Sequence, residues 1–144
     1  MPNIVLFAPC ENLIISQEQK VSLISILETI NVGLAPNQII PPNANLPFNW
    51  FTLAIWEKVA SDQNKTFECL TQAAHLRSNP SPFRMTTPLH KVVAQIFGFP
   101  LALGPVKVKL CIREAGVGEY RTVSEYPLSV QRAPNPAASP SDMS

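Results

Sequence analysis

Nucleophilic or metal chemistry in this chain would draw on two histidines, His75 and His90, and three cysteines, Cys10, Cys69 and Cys111. A thiol–imidazole dyad needs its partners within hydrogen-bond reach, and a structural zinc site needs four ligands, commonly grouped at short spacing. No CxxC, HxxxH or HExxH spacing occurs, so both histidines read as surface or strand-end residues, with no catalytic and no metal-ligating residue assigned. Cys69 lies in an apolar run and reads as a small buried hydrophobe. Cys111 stands between Lys109 and Arg113 at alternate positions, a cationic setting that lowers a thiol pKa, so a thiol-dependent enzyme centred on Cys111 or Cys10 is the third reading of function.

Phosphate handling has less support. Neither GxGxxG nor GxxxxGK[ST] is present, and the five glycines fall where turns are expected. Glu57, Asp62, Glu68, Glu114, Glu119 and Glu125 could supply paired carboxylates, but several sit at turns or on polar strand faces, where charges are ordinarily hydrated. No cofactor is implied. Trp50 and Trp56 are the candidate residues for a small-ligand or carbohydrate-binding face, because flat amphipathic rings suit sugars; packing in the core competes for both.

The segment most suggestive of recognition is residues 35–47, with four prolines and three asparagines around Ile39 and Ile40. That composition cannot pair within a sheet and predicts a long loop. Two isoleucines there must either tuck against the fold or face a partner, so Ile39, Ile40, Asn43 and Asn45 are the candidate protein-binding residues.

The elements that would carry these residues are short and apolar. Val106, Val108, Leu110 and Ile112 alternate with Lys107, Lys109, Cys111 and Arg113, which predicts a strand with one dry and one wet face. Gly116 and Gly118 supply a turn, and residues 120–130 return, with Pro127 marking a bulge or an edge. Residues 4–7 form a first strand between Pro2 and Pro9. Residues 50–59 alternate as a strand whose Phe51, Leu53 and Ile55 share a face, and residues 66–76 follow a polar turn as its hairpin partner. Phe83 and the run from His90 to Phe97 add further strands before a turn at Gly98 and Pro100. Residues 20–32 are ambiguous. Ser16 and Gln19 have capping-box spacing and Ile24, Leu27 and Ile30 recur at helical intervals, yet six positions there are β-branched.

The order of these features resembles a family of small, uncharacterised bacterial proteins with a predicted β-sandwich. The likeness spans most of residues 3–131: an opening hairpin (Ile4, Val5, Leu6, Phe7, then Lys20 through Ile24), a middle strand with Trp56, and a closing pair from Phe99 through Val106 and Ile112 to Val130. It implies strand rather than helix for residues 20–32 and brings no activity with it.

Composition agrees with a single sandwich. Fifteen prolines in 144 residues break the chain too often for long helices, and 15% charged residues is low for a soluble domain. A net charge of +1 offers no field to gather phosphates or anionic lipid, so neither nucleic acid nor a membrane is an expected partner. No apolar run is long enough to span a bilayer, and the apolar start lacks a basic lead; with three scattered cysteines this predicts a cytoplasmic protein. The expectation is a mainly β chain: an antiparallel β-sandwich or flattened barrel of about seven strands over residues 1–131, with a disordered Pro/Ala/Ser-rich tail over residues 132–144. Its expected role is a non-catalytic protein-interaction module, with possible homo-oligomers through an edge strand.

Overall fold

The alternation at residues 106–112 becomes an eleven-residue strand, Gly104–Glu114, whose Val106, Val108, Leu110 and Ile112 all enter the main core. In the computed structural model, which describes residues 1–133 apart from Gln19 and Pro36, this strand is one of ten. They are β1 (Asn3–Ile15), β2 (Val21–Ile26), β3 (Thr29–Val32), β4 (Asn45–Glu57), β5 (Thr66–Ala73), β6 (Leu76–Arg77), β7 (Ser81–Arg84), β8 (Leu89–Pro100), β9 (Gly104–Glu114) and β10 (Val117–Arg132). A single 3-10 turn, Ala60–Asp62, is the one helical element among the described residues.

Two sheets face each other. One has the order β2-β1-β4-β8 and the other β3-β10-β9-β5-β6, with β7 also paired to β5. All neighbours are antiparallel except β3, which runs parallel to β10. The mainly β, two-layer expectation therefore holds, with ten strands where about seven were anticipated and several of them longer than their sequence patterns. Segments 20–32 are β2 and β3, so the β-branched content prevails over the helical spacing once a sheet is there to receive it. The expected tail over residues 134–144 lies outside the described residues, and Arg132 belongs to β10.

The core between the sheets is aromatic. Trp50 and Trp56 of β4 are fully buried; Trp50 meets Phe99 edge-on with ring centroids 5.3 Å apart, and Trp56 stacks on Phe83 at 5.6 Å. Rings of this size each remove roughly 150–250 Å2 from water, which makes this layer the main apolar contribution to stability. The inward face of β4 is thus Trp50, Thr52, Ala54 and Trp56, opposite to the face with Phe51, Leu53 and Ile55 that sequence periodicity favoured.

The second face of β4 is partly covered for a topological reason. β1 pairs with β4 only as far as Cys10 opposite Phe51, and beyond that point pairs with β2 alone. A straight strand would carry Ile15 about 40 Å from Asn3. Instead Ile15 and Val21, at the hairpin tip, share a cavity of about 490 Å3 with Leu89, Lys91 and Val93 at the start of β8. The hairpin has curled back over the outer face, turning this sheet into a half-barrel. Beneath it Ala8, Cys10 and Leu53 are buried although they point away from the main core.

Four local expectations are corrected. β5 does not form a hairpin with β4 but crosses into the other sheet, where it pairs with β6, β7 and β9. β1 continues past Pro9, and β8 runs through Gly98 to Pro100 instead of turning there. The loop ends at Ala44, because Asn45, Leu46 and Pro47 already belong to β4. Pro127 is tolerated in β10 because β3 pairs only with residues 129–132, which leaves that stretch of β10 an edge on one side.

Candidate functional site

The candidate protein-binding residues occupy the connection from β3 to β4. Ile39 is 87% exposed, Ile40 is half-buried, and Asn43 takes a left-handed backbone (φ +59°) that suits asparagine. Asn45 opens β4, with its Oδ1 2.6 Å from His75 Nε2. The root of the loop is pinned: Arg132 Nη1 donates to the carbonyls of Leu34 and Ala35 at 3.5 and 2.7 Å, and the Ala35 N–H donates to Gln38 Oε1 at 3.2 Å. Held at its base, the loop projects Ile39 into solvent.

Trp50 and Trp56, the candidate ligand-binding residues, are at 0% exposure. Trp50 Nε1 donates to the Gly98 carbonyl at 2.7 Å. Both rings are committed to inter-sheet packing, and neither presents a face to a surface cavity.

The thiols are enclosed. All three cysteines are free and buried. Burial pushes the Cys69 thiol up to about 12 and also raises that of Cys10. Cys111, expected on the wet face of β9, is only 4% exposed, with its Sγ 3.6 Å from Thr122 Oγ1. Sheet geometry explains the difference: Leu70 and Thr122 pair directly with Cys111 from both neighbouring strands, and Leu70 is buried as well. His90 stacks on Phe83 at 5.3 Å. Among the described residues no group of three His, Cys, Asp or Glu is placed to hold a metal ion.

Two carboxylates are not simply hydrated. Asp62 is 1% exposed; its Oδ2 accepts the Val59 N–H at 3.0 Å, and its Oδ1 lies 2.9 Å from the α-amino group of Met1. Glu68 on β5 accepts from Arg113 Nε on β9. The Arg113 Nη1 donates to the Gly118 carbonyl at 3.0 Å, and its guanidinium covers the Tyr120 ring at 4.4 Å. Arg113 holds the Glu68 carboxyl below the usual range, while burial raises the Tyr120 hydroxyl. This cluster ties the β9–β10 turn to β5 and neutralises itself, so it has the character of a staple. Lys107 is likewise matched, with Glu125 3.4 Å away.

A groove lies beside the root of the loop. Where β1 leaves β4 after Cys10, a cavity of about 410 Å3 opens between β3 and the first residues of β4. Leu27 forms its buried floor, Thr29, Ile30 and Asn31 one wall, and Leu46, Pro47 and Phe48 the other. Glu11, the residue after the parting of β1 and β4, contributes the single charged side chain in the lining.

No family model, curated protein or solved structure matches this chain. The geometry of the groove and of the neighbouring loop therefore carries the functional reading.

Sequence reasoning located the loop but not the groove. Glu11, Thr29, Asn31 and Phe48 are scattered over three strands, and no local signal marks them. The separation of β1 from β4 that brings them together is a property of sheet curvature.

Proposed function

We propose that this protein is a non-catalytic interaction module that binds another protein through the end of the sandwich formed by the β3–β4 loop and the groove at its root. One observation carries the reading: Ile39 is held out at 87% exposure by a loop whose base is hydrogen-bonded to the sheet. A large aliphatic side chain in water is unfavourable by about 1.5–3 kcal/mol relative to burial, and a partner surface would recover that energy. The half-buried Ile40 and the exposed Asn43 extend the same surface. Buried thiols and two fully enclosed tryptophans weigh against the thiol-enzyme and sugar-binding alternatives.

The test is a photo-crosslinking side chain at position 39, with one at exposed Lys107 of β9 as control, in the cell that makes the protein. A discrete adduct from position 39 that is absent from position 107 is expected. Equal labelling from both positions, or none from position 39, would remove this reading.

A further inference from the structure

We propose that the groove between β3 and the start of β4 takes an extended peptide that adds as a strand to β3 and places a lysine or arginine side chain against Glu11. This rests on the protein-binding reading and specifies the kind of segment the partner supplies.

The backbone of β3 provides the first argument. In its parallel ladder with β10 the carbonyls of Glu28 and Val32 accept the N–H groups of Ser129 and Ala133, at 3.1 and 2.8 Å. A parallel ladder bonds alternate residues of each strand to a given neighbour, so positions 28, 30 and 32 face β10. Thr29 and Asn31 consequently aim their N–H and C=O groups the other way, into the groove that they line. β3 pairs with no other strand among the described residues. Two donors and two acceptors at strand spacing are the template that an added strand uses.

The opposite wall excludes the chain's own strands from that role. β4 pairs with β1 only from Phe51 onward, and Pro47 has no N–H to offer across the groove. Leu46 and Phe48 instead give apolar contacts for alternate side chains of a peptide lying on β3, above the buried Leu27.

Charge settles the chemistry of the occupant. Glu11 is exposed and has no ion pair among the described residues, and Glu28, just before β3, is also exposed. The nearest cation on an adjoining strand, Arg132, donates to Leu34 and Ala35. The groove is therefore acidic at its lip and apolar within. Residues 133–144 include no lysine or arginine and three prolines, so the C-terminal segment of this chain does not supply the complementary charge.

The experiment is selection of a phage-displayed random heptapeptide library on the intact protein, followed by fluorescence polarisation with the leading synthetic peptide. Enrichment of lysine or arginine at one position, flanked by alternate apolar residues, is expected. Glu11→Lys and, separately, Asn31→Pro should each weaken that peptide by about ten-fold with an unchanged melting temperature. Asn31→Pro removes an N–H that no internal partner uses, so loss of binding without loss of stability is specific to strand addition. Peptides that bind both variants as well as the parent, or no enrichment at all, would overturn this assignment. The crosslink from position 39 then decides independently whether the broader interaction role stands.

Discussion

Thr52 of β4 and Thr71 of β5 join their hydroxyls at 2.9 Å across the interior between the two sheets, both only 2% exposed. This side-chain hydrogen bond sits in an otherwise apolar layer, so each hydroxyl depends on the other. Replacing one by valine strands its partner, and Thr52→Val or Thr71→Val should each destabilise by about 1–3 kcal/mol. The double valine variant should recover most of that loss, because no polar group is left unpaired. Denaturant melts of the four proteins complete the cycle; additive losses would show that the hydroxyls do not act as a pair.

Cys69 couples stability to alkaline pH. Its thiol titrates near 12 when folded against an ordinary value of 9.0, so the folded state favours the protonated form. The contribution is fully present below pH 9 and is lost as pH rises toward 12, because only the unfolded chain ionises in that window. Thermal melts should fall more steeply between pH 9 and 11 for the parent than for Cys69→Ala. Parallel curves would exclude this burial effect. In the folded protein at neutral pH, alkylation of all three buried thiols should be slow.

Glu68 acts at the other end of the scale. Arg113 lowers its pKa, so the stabilisation is present above the ordinary glutamate value and disappears as pH falls through the depressed folded value. Glu68→Gln should melt below the parent at pH 7 and converge with it in acid. A difference that persists unchanged at low pH would show that charge is not its source.

Gly98 lies within β8 at φ +89°, where the pairing with β4 shifts register, while its carbonyl accepts the Trp50 indole N–H. A Cβ there would meet only ordinary contacts, the nearest being the Leu46 carbonyl oxygen at 3.6 Å, so backbone strain is the cost. Gly98→Ala should lose about 1–3 kcal/mol. Gly33→Ala, at open space without a positive φ, is the control and should change the melt little.

Ile39→Ser should leave stability within about 0.5 kcal/mol of the parent, since almost nothing is uncovered by removing a side chain already in water. A large loss in a denaturant melt would place Ile39 in the fold's support instead of on its recognition surface.

The sequence alone determined what depends on near neighbours. Alternation at Val106, Val108, Leu110 and Ile112 specified a strand and its inward face, because successive side chains point to opposite sides of a sheet. The prolines and asparagines around Ile39 likewise specified a connection between strands, although its last residues, Asn45 to Pro47, were drawn into β4. Tertiary structure decided everything that required knowing which strand lies beside which. Cys111 is buried because Leu70 and Thr122 arrive from β5 and β10, and β5 avoids β4 by crossing to the other sheet. The curl of the β1–β2 hairpin covers Leu53 and opens the groove at Glu11. Periodicity reports the side of a strand a residue occupies, whereas curvature and strand order determine what covers that side, and these arise only when segments far apart in the chain pack together.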